Sequence, residues 1–144
     1  MKKLISLITL FFSLNLFAAQ IHFTYFGNQG SNQSFYSCDY VEDQAAQYLE
    51  VFGATNIDLF CTGGITNWSW TPVSLRATFD LPVITGNNSE EVRIAGDVWS
   101  PACGLNTTII REILKAFKSV KVLEKQDHCA FSDSNFYYLL QIPR

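Results

Sequence analysis

The chain has 144 residues, with 10 Lys+Arg against 13 Asp+Glu and a formal charge of −3. That balance lacks the basic footprint that nonspecific nucleic-acid binding requires. With 48% hydrophobic, 15% aromatic and only 16% charged residues, the chain can bury a core, which excludes a disordered polyelectrolyte. Its length suits one domain.

Lys2 and Lys3 precede an apolar run over residues 4–17, and Ala18 and Ala19 follow as small residues. This is the layout of a secretory signal peptide, with the cut expected after Ala18 or Ala19. The run is shorter than the roughly 20 residues of a spanning helix, and Ser13 and Asn15 interrupt it. The expectation is a leader over residues 1–19 and one domain over 20–144. That domain would be periplasmic or secreted, with no stable membrane anchor after cleavage. Losing Lys2 and Lys3 leaves 8 basic against 13 acidic residues, a charge near −5.

Residues 21–26 form an aromatic, β-prone run that ends at Gly27-Asn28. After a polar loop come Cys38 and a helical pattern over 39–52, stopped by Gly53. Residues 57–60 read as a strand ending at Cys61. A loop with two Gly and two Trp spans 62–71, and residues 73–81 alternate as a strand ending at Pro82.

The same order then recurs. Residues 92–95 read as a strand ending at Gly96-Asp97. Pro101 and Cys103 precede a helix over about 105–118. Residues 120–124 are a strand leading to Cys129, and residues 136–142 a strand ending at Pro143. Cys38 matches Cys103, Cys61 matches Cys129, and Pro82 matches Pro143. Residues 20–82 and 91–144 therefore read as an internal repeat of one β-α-β-β unit.

In the first helix Val41, Ala45, Tyr48, Leu49 and Phe52 share a face, with Asp39, Glu42, Asp43 and Glu50 outward. In the second, Leu105, Ile109, Ile110, Ile113, Leu114 and Phe117 do so, with Arg111, Lys115 and Lys118 away from its centre. Two solvated faces of ordinary kind are expected, one acidic and one basic.

Four Cys without a CxxC, in a chain with an export signal, imply two disulfides. In a β-α-β-β path the helix start and the end of the next strand lie at the same end of the unit. About 15 helical residues span ~22 Å and six strand residues ~20 Å, so the lengths match. The bridges expected are Cys38–Cys61 and Cys103–Cys129. The fold class is α+β: a mostly antiparallel sheet of about six strands with two helices on one face, a ferredoxin-like variant.

This geometry gathers the loops 28–37, 62–71, 97–102 and 130–135 at the disulfide end. They bring along Trp68, Trp70, Trp99, Asp97 and His128, which are the candidate ligand- or partner-binding residues. Trp68 and Trp70, two apart in an extended loop, face the same way and could stack on a sugar, a peptide or a protein. No catalytic, metal or cofactor motif accompanies them. Two His without HExxH spacing do not make a zinc site. Gly27 and Gly30 lack the Lys of a phosphate loop, and there is no G-x-S-x-G. Asp127 precedes His128, with Ser132 and Ser134 near, but neighbours on a strand point to opposite faces. Asn32, Asn67, Asn87 and Asn106 each open an N-x-[ST] sequon.

The expected function is a non-catalytic binding or protein-interaction module for a protein, peptide or glycan. The alternatives are a small hydrolase using His128 with an acidic residue such as Asp97, and an inhibitor or assembly subunit pairing through a sheet edge.

Overall fold

The computed structural model describes residues 18–27, 35–96, 102–129 and 135–144. In chain order the elements are β1 (Ala18–Tyr25), α1 (Cys38–Val51), β2 (Thr55–Ile65), β3 (Trp70–Asp80), β4 (Ser89–Ala95), α2 (Cys103–Ala116), β5 (Lys121–Gln126) and β6 (Tyr137–Pro143).

Local chemistry sets the helix limits. Ser37 is extended, and its hydroxyl accepts the Tyr40 N–H, capping α1 with Asp39 in the first turn. At the other end Gly53 sits at φ 87°, which lets its N–H reach the Glu50 carbonyl and Ala54 N–H reach Leu49. Val41, Ala45, Leu49 and Phe52 are buried on one face, as their spacing demands, while Tyr48 is half-buried. Helix α2 starts without a side-chain cap; the Thr107 and Thr108 hydroxyls return instead to the Cys103 and Gly104 carbonyls at 2.9 and 2.7 Å.

Strand alternation is equally plain. Val73, Leu75, Ala77 and Phe79 of β3 are buried, and so are Tyr138, Leu140 and Ile142 of β6, while the residues between them face outward. Each of these strands is the centre of its sheet. The orders are β1-β3-β2 and β4-β6-β5, with every pairing antiparallel. The outer strands of each sheet therefore run parallel to each other, joined through a helix, with the last strand inserted between them.

The single sheet of about six strands expected from the sequence is thus corrected to two sheets of three. The reason lies in the strand order. In each half the final strand fills the gap between the other two, so its ladder is complete without the other half. Helix α2 lies against β1. Helix α1 packs on β2 and β3 and touches α2, so both helices contact the first sheet. Buried side chains from both sheets and both helices form one core.

The two halves meet along α2 and β1, and again at the helix C-termini. The Phe117 ring stacks on Phe79 at 5.6 Å between centroids and tilts against Phe52 at 5.2 Å. At this pole Arg144 also donates to the Val51 carbonyl (3.2 Å) and pairs with Glu90 (2.9 Å). One helix length away lie both disulfides, Cys38–Cys61 and Cys103–Cys129, with Cα–Cα distances of 5.5 and 5.8 Å. The pairing is the one that the length argument gave.

Phe117→Ala is expected to cost about 3–5 kcal/mol, the range for truncating a buried aromatic, seen as a lower urea midpoint. Replacing either cysteine pair with serine should cost roughly 3 kcal/mol on the chain-entropy estimate, because each bridge closes a loop of 23 or 26 residues' separation. A nonreducing peptide map with thermal melts checks both the connectivity and the loss.

Candidate binding surface

Residues expected to form a loop between β2 and β3 are largely strand. The ladder continues to Ile65 and restarts at Trp70, leaving only a tight turn. Gly63 and Gly64 make this possible. Both have positive φ, and a Cβ on either would collide with the Pro72 or Tyr36 carbonyl oxygen. The register shifts between them, bending the hairpin at a bulge. In the turn the Thr66 hydroxyl accepts the Ser69 N–H at 3.1 Å and the Trp68 N–H at 3.4 Å, and the Thr66 N–H donates to the Ser69 carbonyl.

The turn displays its aromatics. Trp68 is 96% exposed and Trp70 72% exposed, with Ile65 beside them also exposed. Trp70 meets the Phe35 ring at 5.9 Å. From Cys61 to Leu75 the chain carries no charged residue. The Cys38–Cys61 bridge ties the base of the hairpin to the start of α1, and the Ile65 N–H donates to the Tyr36 carbonyl at 2.9 Å. The result is an apolar tip on an anchored hairpin. Trp68 and Trp70 belong to it together, one in the turn and the other at the start of β3.

Trp99 and Asp97 lie outside the described residues, as do most of the loops 28–37, 97–102 and 130–135. His128 is exposed near the second disulfide. Its neighbour Asp127 is engaged elsewhere, accepting from Lys125 Nζ at 3.0 Å and from the Tyr138 hydroxyl at 2.9 Å. Burial works against ionisation of Asp127. The hydrogen bonds from Lys125 and Tyr138, with the charges of Lys125 and Arg111, outweigh it and hold the carboxyl below its ordinary value. Burial, then the Asp127 bond, push the Tyr138 hydroxyl upward. Among the described residues no hydrogen bond joins Asp127 to His128, so this carboxylate clamps β6 and does not orient an imidazole. Of the sequons, Asn106 is only 4% exposed within α2; Asn67 and Asn87 are exposed, and Asn32 lies outside the described residues.

Among the described residues no group of three or more His, Cys, Asp or Glu could hold a metal ion, and no helix is long and apolar enough to cross a membrane. The sequence reasoning missed the outer face of the first sheet. There Gln20, His22, Phe60, Thr62, Ser74 and Arg76 line an open groove of about 400 Å³. The alternation Gln20, His22, Thr24 in β1 and Ser74, Arg76, Thr78 in β3 marks each as a polar outer row. Their alignment into one grid depends on strand register, which alternation alone does not supply. No family model, curated protein or solved structure matches this chain.

Because the Asp127 carboxyl sits below the unfolded-state value near 4, its contribution should be complete above that value. It is lost as pH falls through the lower folded-state value. Asp127→Asn should therefore lower the Tm at neutral pH, and the gap to the parent protein should close at pH ~2. Melts across that range check the sign.

Proposed function

We propose that the protein is an exported, non-catalytic binding module that engages a partner through the Trp68–Trp70 hairpin. The observation that carries this reading is the near-complete exposure of two indoles on a hairpin fixed by a disulfide and a bulge. Large aromatics left in water on an ordered element are unfavourable for the isolated protein. They are the residue type that dominates partner binding once a pocket closes over them.

The export signal over residues 1–19 fits with two disulfides, which persist only in an oxidising compartment. A cut after Ala18 or Ala19 removes at most two residues from β1 and leaves Ile21 and Phe23 in the core. The periplasm or the surrounding medium is the expected location. The two halves are read as copies of one β-α-β-β unit, since element order, strand order and bridge position agree between them. The last strand inserted between the first two is the split β-α-β path that ferredoxin-like arrangements use. The asymmetry supports a specialised first half: its β2-β3 hairpin bears the Trp pair, whereas residues 127–136, which join β5 to β6, contain no Trp.

The test is capture of envelope and culture-fluid proteins and glycans on immobilised residues 20–144, followed by affinity measurement on whatever is retained. Trp68→Ala with Trp70→Ala should weaken binding at least thirtyfold, the equivalent of about 2 kcal/mol for a central anchor. Stability should stay within about 0.5 kcal/mol, because both side chains are exposed. A partner held equally well by the double variant would sink the reading.

A further inference from the structure

The outer face of the first sheet is a second, chemically distinct surface. Register places its side chains in three cross-strand rows. The central row is His22, Arg76 and Phe60; on one side lie Thr24, Ser74 and Thr62, and on the other Gln20, Thr78 and Asp58. Directly opposed residues on one sheet face stand within reach of each other. The hydroxyls are already linked: Thr24 donates to Ser74 Oγ at 3.2 Å, and His22 Nε2 lies 3.3 Å from the same oxygen. Arg76 lies over the Phe60 ring, 5.5 Å from its centroid. Phe60 is itself 57% exposed.

Arg76 is the focus. Among the described residues its guanidinium makes no ion pair. Asp58 shares an adjoining groove of about 150 Å³ with it but lies outside ion-pair range. The second sheet combines similar groups differently. There Arg93 covers the Tyr137 ring at 5.0 Å, and the ring's own hydroxyl donates to Glu124. Phe60 has no hydroxyl to hold a carboxylate, so in the first sheet an acid would have to bind the cation itself.

We propose that this face binds a carboxylated sugar, a uronic acid unit of a polysaccharide, whose carboxylate pairs with the Arg76 guanidinium. A guanidinium fork matches a planar carboxylate with two parallel hydrogen bonds. The flanking Thr24, Ser74, Thr62 and Gln20 side chains supply the donors and acceptors that ring hydroxyls need. The exposed Phe60 edge offers an apolar surface to the C–H face of a pyranose. The 400 Å³ groove falls within the range of small-ligand clefts. A polyphosphate or nucleic acid calls for several cations, and Arg76 is the single Lys or Arg that lines the groove. An acidic peptide recognised as an added strand needs free main-chain groups. On a sheet face those groups are spent in the ladders to β3.

The test is amide NMR titration of the oxidised protein with tri-galacturonate, its methyl ester, tri-glutamate and inorganic phosphate. Tri-galacturonate should shift Gln20, Thr24, Thr62 and Ser74, and the uncharged ester should not. Arg76→Gln should weaken binding at least tenfold at unchanged Tm, with Arg76→Lys in between. Thr62→Val, which keeps the charge, should also weaken it. Trp68→Ala with Trp70→Ala should leave it intact, so this site and the hairpin stand or fall separately. Equal binding of the ester, binding of tri-glutamate or phosphate as tight at the same residues, an indifferent Arg76→Gln, or no shift at millimolar tri-galacturonate would each overturn the assignment.

Discussion

The packing of one half on the other holds the molecule together. Phe117 is the cap residue of the second helix, yet its ring lies against Phe52 and Phe79 of the first half. Each half is a three-stranded sheet of its own, and among the described residues no ladder joins the two. A half of this length would bury only about 60% of the surface its unfolded chain exposes and would be marginal alone. Side-chain packing must therefore supply the cohesion that a continuous sheet would have given through main-chain hydrogen bonds. The aromatic contact does this at one pole, and the two disulfides tie each half at the other. Packing in the middle follows: Leu49, Leu75, Ile109, Ile113, Tyr138 and Leu140 are fully buried in one shared core.

Much of this was legible from residues alone, and the reason is locality. The spacing of Val41, Ala45 and Leu49, and of Ile109, Ile110 and Ile113, encodes a buried stripe within a few turns of chain. Gly53 ends a helix wherever its positive φ is used. Even the disulfide pairing followed, because helix and strand lengths are set by fixed rises per residue. Partition of the strands into sheets was not legible. It depends on which edge meets which, a long-range outcome that alternation in β1 or β6 does not specify. The hairpin tip was misjudged for a related reason. Gly63 and Gly64 read as loop punctuation, but here they let the strands continue through a bulge.

The same hairpin shows where Trp68 and Trp70 lie. An indole near a disulfide can roof the core as easily as face water, and composition does not choose between them. The turn built by Thr66 and Ser69 carries Trp68 beyond the core, and Trp70 meets only Phe35 among the recorded ring contacts. The outer face of the same sheet tells a complementary story. Val73, Leu75, Ala77 and Phe79 are committed to the core, which leaves Ser74, Arg76 and Thr78 free to differ without loss of fold. One central strand thus divides its residues between the core and the outer surface, position by position.

The strand order has a further consequence for how the chain matures. In both halves the strand that completes the sheet is the last to be synthesised, so neither sheet can close while its half is emerging. The cysteines, however, are joined to their nearest successors: the first to the second, the third to the fourth. An oxidant that links thiols in order of appearance would install each native bridge before the last strand of its own half has been added. Covalent assembly of this protein therefore demands no shuffling of mispaired sulfurs, and each half can be locked while the next is still arriving.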